Sequence, residues 1–395
     1  IFISEVIMRE IIIPKNDDFR TVFNPVILIT VSVVLNTIFQ IKTSEEVWNS
    51  FNIFNFNPDN NVLIITLFFF FFFLIGAFSS YCFLYNKINF PPRNEYIIYN
   101  FKKYDVFFKV ILLMNVITFL ITQYFMGNAN IINIYILGGV NAQLIESKIA
   151  SSPLGIHGIS LLLGYFGILM YGMARLLNDK RPIVLISLII IIIKFISYAK
   201  LQSLLYVFLG LMLYSPKKIS FTKGSCVAIF TIILFSVTRI IRNPDQDLSF
   251  NFEFILRFIG GFYFGSPIVN FSYIVQNNIS DIFYFFNWFL PQKIIPASTI
   301  SLYFPDSTSP IGLVGSSYVS LGFFSFVYAF FIGFIAQYIF LKRNRTPFSY
   351  IFQPFLVMAC LFSMMYNNFV NMNFFILPLI FTVFLVKRIL RAKRI

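Results

Sequence analysis

Charge is scarce in this chain. Only 12% of its 395 residues are Asp, Glu, Lys or Arg, against roughly 25% in a soluble domain. So few charges cannot cover the water-facing surface of a chain this long, which excludes an ordinary soluble globular protein. Histidine occurs once, so a two-histidine HExxH zinc motif is impossible. The three cysteines, Cys82, Cys226 and Cys360, lie apart within apolar runs with no CxxC spacing, which indicates no metal site. GxxxxGK[ST] is absent, and so is a nucleotide-binding glycine fingerprint after a strand. Any chemistry here therefore uses a substrate with its own activated bond, and no cofactor is expected. No cleavable signal peptide is evident, and no internal repeat, which weakens a transporter built from inverted halves.

What the chain does have is apolar length. Hydrophobic residues make up 58% of it and mean hydropathy is +0.80. Spanning backbone must satisfy its own hydrogen bonds, which leaves helices or a closed barrel. The apolar runs are continuous rather than alternating, so helices are expected. The fold class read from this is all-α: a polytopic integral membrane protein of about ten transmembrane helices, forming a single domain over 1–395. The expected spans are 25–41, 61–84, 106–125, 156–176, 183–200, 201–214, 224–242, 317–341, 351–366 and 373–386. The stretch Ile1 to Ile13 is too short to span and carries Glu5, Arg9 and Glu10; it reads as an interfacial segment or as the end of a longer helix.

The net charge is +14, which raises nucleic acid as a partner. Position argues against it. Most Lys and Arg sit in short clusters beside the spans, as topology determinants do. With the segment before Pro25 placed in the cytoplasm, every inner loop is basic, including those with Lys102 and Lys103, Lys180 and Arg181, Lys217 and Lys218, and Lys342 and Arg343. Both ends then lie in the cytoplasm. The largest extracytoplasmic loop is 243–316, between spans 7 and 8. Within it Phe250 to Phe264 and Asp281 to Ile295, the second with Trp288, read as interfacial helices. The span 201–214 rises only about 21 Å, short of the roughly 30 Å hydrocarbon core. Its turn, Lys200 to Ser203, is therefore expected below the outer surface, where protein or a wet cavity tolerates polar backbone.

Charges on the outer face are few, and that makes them informative. Arg239 and Arg242 are three residues apart, on one face of the outer end of 224–242. Arg257 follows in the loop. Lys194 and Lys200 lie on 183–200. Arginine suits bidentate phosphate binding, so Arg239, Arg242, Arg257 and Lys200 form a candidate site for a lipid pyrophosphate. The plainer alternative is snorkelling to the interface, which is the reading for Lys194. Glu253 stands four before Arg257, the spacing of a helical ion pair. Outer carboxylates number nine, Asp281 among them, and any would serve as general base in a buried site; Asp306 is the first candidate. His157, at the start of 156–176, is a candidate base or ligand, or simply a helix-end residue. Gly155, Gly158, Gly164, Gly167 and Gly172 are expected to permit close helix packing.

Three stretches and the layout resemble the oligosaccharide repeat unit polymerases, the O-antigen polymerase (Wzy) family. They are Asp18-Phe19 through Phe23-Asn24-Pro25, Phe262-Tyr263-Phe264-Gly265-Ser266-Pro267-Ile268-Val269-Asn270-Phe271, and Ser307-Thr308-Ser309-Pro310 through Gly315, Tyr318 and Gly322. The layout places one large outer loop late in the chain. Members often carry an Asp-Phe-Gly-like triplet entering the span after that loop; here it reads Ser320-Leu321-Gly322, and Ser320 is assigned no catalytic role.

The resemblance implies a glycosyltransferase of the bacterial inner (plasma) membrane with its active site facing the periplasm. It would move a growing glycan from undecaprenyl pyrophosphate onto a new lipid-linked repeat unit, for O-antigen or capsule. The arginines, with Lys200, would stabilise the leaving pyrophosphate. Tyr263 and His157 join the candidate substrate-binding set, and a carboxylate such as Asp306 would act as base. Implied partners are undecaprenyl-pyrophosphate-linked oligosaccharides, the lipid bilayer, a chain-length regulator and a flippase. The alternatives are an O-antigen ligase and a lipid-linked oligosaccharide flippase or other transporter.

Overall fold

The computed structural model describes residues 18–42, 60–85, 96–126, 156–197, 201–215, 218–227, 229–230, 233, 266–287, 311–363 and 365–392. Twelve helices are traced among them: α1 Pro25–Lys42, α2 Asn60–Tyr85, α3 Phe101–Met126, α4 Ile156–Leu176, α5 Pro182–Ser197, α6 Leu201–Leu213, α7 Ser266–Gln276, α8 Ile282–Asn287, α9 Gly312–Leu321, α10 Phe324–Leu341, α11 Pro347–Leu361 and α12 Leu377–Ile389. Residues 221–227, at the start of the expected span 224–242, are also helical. Two three-residue strands, β1 Tyr96–Ile98 and β2 Leu390–Ala392, pair antiparallel.

Among the described residues, five helical segments are long and apolar enough to cross a membrane: Asn60–Leu84, Phe101–Phe125, Ile156–Leu176, Phe324–Leu341 and Met372–Ile389. Shorter apolar helices occupy Pro25–Leu35, Pro182–Ile196 and Pro347–Leu361. The chain is therefore a helical, multi-pass membrane protein in contact with lipid.

The bundle is built around α11. Every residue from Ser349 to Cys360 is buried, as expected of a helix that is apolar all round. Pro354 interrupts its backbone ladder. Close by, Tyr214 donates its hydroxyl to the Ile351 carbonyl at 2.5 Å, and Tyr350 returns one to the Tyr214 carbonyl at 2.8 Å. In lipid, helices gain little from apolar burial alone, so close packing and such bonds hold them together.

The tightest seam joins α2 and α10. They run parallel, since Phe72 stacks on Phe326 at one end and Phe83 meets Phe334 farther along. Between these contacts a Cβ on Gly76 would stand 2.0 Å from the Phe330 carbonyl oxygen, and one on Gly333 would stand 2.1 Å from that of Phe73. Ala77, Ala329 and Ala336 are buried beside them. Of the glycines expected to allow packing, Gly164, Gly167 and Gly172 do so, against Phe195, Ile191 and Tyr214. A Cβ on Gly158 would meet nothing, and Gly155 lies outside the described residues.

One end of the bundle is laced with charge. The Arg20 guanidinium holds Asp18 (Nε to Oδ1, 2.9 Å) and donates to the Ser215 carbonyl at 2.8 Å. Phe19 N–H donates to the Ile219 carbonyl at 2.8 Å. Burial alone would raise the Asp18 carboxyl's pKa, but the bonds from Arg20 outweigh it and hold it below its ordinary value. Arg181 bridges Asp105 at 2.5 Å and Asp179 at 2.8 Å, and the Tyr104 hydroxyl donates to Asp179 at 2.9 Å. The β1–β2 pairing brings the chain just after α12 onto the segment just before α3. These contacts gather the starts of α1, α3, α5 and α11 with the ends of α4, α6 and α12. We call this the basic end.

Two expectations are corrected. The span 317–341 is not one helix: it breaks between α9 and α10 at Gly322, whose φ is +55°, a left-handed value that glycine adopts readily. In an unbroken helix Ser317 and Tyr328 would stand about 16 Å apart along the axis. Here both reach one side chain: Tyr328 donates to Asn367 Oδ1 at 2.9 Å, and Asn367 Nδ2 lies 3.5 Å from Ser317 Oγ. The chain must turn at Gly322 for this to happen.

Second, Lys194 does not snorkel. It is 0% exposed, and its ammonium donates to Asn115 Oδ1 at 2.8 Å and Thr118 Oγ1 at 3.2 Å.

Candidate functional site

Away from the basic end, two segments that are separate in sequence meet. Helix α7 carries the Ser266 to Phe271 part of the second stretch. It falls in the expected outer loop 243–316, and its Ile268, Val269 and Phe271 are buried with Val62 and Ile65 of α2. Helix α9 carries Gly315, Tyr318 and Ser320. The two pack directly: the Phe271 ring stands edge-on to Tyr318 at 5.9 Å, and a Cβ on Gly315 would meet Phe271 at 3.1 Å. The N-terminus of α9 is fixed in turn, since Gly312 and Leu313 N–H donate to the Met365 and Ser363 carbonyls at 3.0 and 2.6 Å.

The turn after α7 completes the site. Asn278 takes φ +51°, a value that asparagine tolerates better than most residues. Asp281 then caps α8: its Oδ1 accepts from Phe283 N–H at 2.8 Å. Its backbone N–H donates to the Val319 carbonyl at 3.1 Å. Ser320 donates to the Asp281 carbonyl at 2.9 Å and accepts from Phe285 N–H at 3.0 Å. Phe285 lies edge-on to Tyr328 at 5.2 Å. The α7–α8 turn is thus bolted to the broken helix on both sides of Gly322.

Between them opens a cleft of about 710 Å³, lined by Asn278, Ser280, Asp281, Tyr318, Ser320 and, on its apolar side, Ile274, Phe283, Val319 and Phe323. Asp281 and Ser320 are mostly committed to holding the walls. Among the described residues no Lys or Arg lines the cleft. Its chemistry is recognition: hydroxyl and amide groups on one side and aromatic faces on the other.

Of the residues singled out from sequence, Arg239, Arg242, Arg257, Lys200, Tyr263 and Asp306 lie outside the described residues, as do Glu253 and the expected interfacial helix Phe250 to Phe264. His157 is placed in the first turn of α4, 7% exposed, and does not line the cleft. Asp281 was one outer acid among nine, with no distinct role. The signal that marks it is local: Ser280-Asp281 directly before the apolar run Ile282 to Phe286 is a helix-start pattern. Among the described residues no group of His, Cys, Asp or Glu is spaced to hold a metal ion. No family model, curated protein or solved structure matches this chain.

Proposed function

We propose that the protein polymerises lipid-linked oligosaccharide repeat units at the extracytoplasmic face of a bacterial plasma membrane. The observation that carries this reading is the convergence of α7 and α9. Two of the three stretches on which the polymerase resemblance rests lie about 40 residues apart in sequence yet pack ring against ring, and the second of them borders a cleft together with the residues that follow the first.

The proposed orientation follows from charge. Basic clusters stay in the cytoplasm, so the end holding Arg20, Arg181 and Arg343 is the inner one. About ten spans alternate from there, and the cleft opens outside. A polyprenyl-pyrophosphate glycan carries its own activated bond, which fits a sequence with no nucleotide-binding motif. In this reading Arg239, Arg242 and Arg257, with Lys200, stabilise the departing pyrophosphate. A carboxylate, Asp306 first, takes the proton of the attacking hydroxyl. A chain-length regulator and a flippase are the proposed partners.

A transporter is the less favoured reading. It needs a polar path through the helices. The intramembrane cation described here, Lys194, is sealed between α3, α4 and α5, where the adjoining cavity is only about 10 Å³.

The test is deletion of the gene in its own host, with surface polysaccharide resolved on a gel. Collapse of the ladder to core plus a single repeat unit is expected. Loss of every repeat unit points instead to a flippase or ligase, and accumulated lipid-linked polymer picks out the ligase. In complementation, charge-removing substitutions of Arg239, Arg242 and Arg257 should abolish long chains while the protein still inserts. Wild-type chain lengths in all three would sink the pyrophosphate assignment.

A further inference from the structure

The cleft differs in chemistry from a pyrophosphate site, and that difference defines its ligand. A phosphate needs cations or clustered N–H donors. Among the described residues this cleft has no Lys or Arg in its lining and does contain the Asp281 carboxylate, which is a poor setting for an anion. A prenyl chain fits no better. It would cover Asn278, Ser280 and the Tyr318 hydroxyl without offering them partners, and unpaired buried polar groups are costly.

A sugar ring satisfies both sides. Its hydroxyls pair with amide and hydroxyl groups, while its C–H face lies on an aromatic ring. The lining supplies such rings in Phe283 and Phe323. Phe323 is the more telling, because it is 76% exposed at the left-handed turn beside Gly322. Its ring leans on Tyr318 at 6.4 Å and Phe326 at 6.2 Å, which leaves most of it open. The volume, about 710 Å³, lies in the range of small-molecule sites, roughly 300–1,000 Å³. The walls are pre-formed: the Ser320 bonds to Asp281 and Phe285 and the Asp281 cap fix one against the other, which lowers the ordering cost of binding.

We propose that this cleft seats an uncharged pyranose ring of the glycan, with Phe323 as its stacking platform, separate from whatever grips the pyrophosphate. The assignment of that ring to a lipid-linked repeat unit rests on the polymerase reading.

The experiment uses the full chain in lipid nanodiscs and two probes. One is the repeat-unit oligosaccharide of the native host, released from its lipid by mild acid. The other is undecaprenyl phosphate, which has no sugar. Saturable binding of the free oligosaccharide is expected, without competition from undecaprenyl phosphate. Phe323→Ala should weaken it by about tenfold or more, Phe323→Tyr should restore it, and Phe283→Ala should weaken it as well. Phe331→Ala, which removes a similarly exposed ring of α10 (55%) outside the cleft, should leave it unchanged. Oligosaccharide binding equal in Phe323→Ala and wild type overturns the proposal, as does competition by undecaprenyl phosphate. Absence of oligosaccharide binding in a protein that restores the polysaccharide ladder overturns the cleft and leaves the polymerase reading standing. Binding that depends on Phe323 in a protein whose deletion leaves the ladder intact does the reverse.

Discussion

The Ser320 hydroxyl donates to the Asp281 carbonyl at 2.9 Å. The same oxygen accepts from Phe285 N–H at 3.0 Å, so one small side chain ties the α7–α8 turn to the last turn of α9. This is the position where the resembling family often carries aspartate, and the bond shows what serine does here instead. Ser320→Ala leaves the Phe285 N–H without this acceptor and takes one donor from the Asp281 carbonyl, which keeps the Tyr284 N–H at 3.2 Å; losing the acceptor in a mostly buried place costs about 1–3 kcal/mol. Ser320→Asp is expected to be no better. A carboxylate accepts from Phe285 but cannot donate to Asp281, and it faces that carbonyl oxygen instead. Both variants should melt earlier than wild type in detergent. An aspartate variant with raised stability and raised activity would show that the family's residue fits this site after all.

The α2–α10 seam yields a sharper loss. The atoms that a Cβ on Gly333 would strike are Phe73 and Ala77 backbone, which cannot rotate away as a side chain would. Overpacking commonly costs about 1–3 kcal/mol, and contact with backbone places Gly333→Val at or above the top of that range. Gly76→Val should behave alike, because Phe330 backbone opposes it. Gly158→Ala, with nothing near its Cβ, is the control and should express as wild type does. Folded yield after size-exclusion chromatography measures all three.

Lys194 and Asn115 are expected to be strongly coupled. Removing the amide that accepts from a buried ammonium strands its charge, whereas replacing both groups with apolar ones is often tolerated. Asn115→Leu should therefore destabilise more than Lys194→Met, and the double variant should recover part of the loss. Cys360 supplies the readout, being buried where Cys82 and Cys226 are exposed. With the two exposed thiols replaced by serine, maleimide labelling on heating reports unfolding at Cys360. Additive losses in the double variant would mean that the ammonium relies on other groups.

These cases also show what the sequence discloses. The apolar runs that became α2, α3, α4 and α12 are continuous and long, and they are legible because lipid demands about 20 apolar residues whatever the tertiary fold. The break at Gly322 is not legible that way, since Leu321 and Phe323 continue the run and only the backbone angle reveals the turn. Helix α7, at 11 residues, is too short for a span, so counting spans leaves it within the outer loop. Lys194 was misplaced for a different reason. Its partner Asn115 is 79 residues away, and helix pairing of that kind has no local signature. The cleft was half legible: its α9 wall coincides with a stretch that resembles a known family, but the Asp281–Ser320 bond that joins it to the other wall depends on the packing of α8 against α9.

The basic end should loosen in acid. Burial tends to raise the Asp179 carboxyl's pKa, but bonds from the Arg181 side chain and backbone and from the Tyr104 hydroxyl outweigh that and hold it below its ordinary value. The Arg181 guanidinium is correspondingly held more firmly protonated, first by Asp179 and then by Asp105. A carboxylate with a folded pKa below its unfolded value adds stability that is present above the unfolded value, about 3.9, and is lost as pH falls through the folded one. At neutral pH, then, Asp179→Asn should lower stability by about 1 kcal/mol, a modest figure because the Arg181 side chain is 36% exposed. As pH falls below about 4 the wild-type protein should lose this advantage and the two melting curves should converge. Melts of both proteins from pH 7 to pH 3 test this. A constant gap across that range would mean that Asp179 contributes through shape rather than charge.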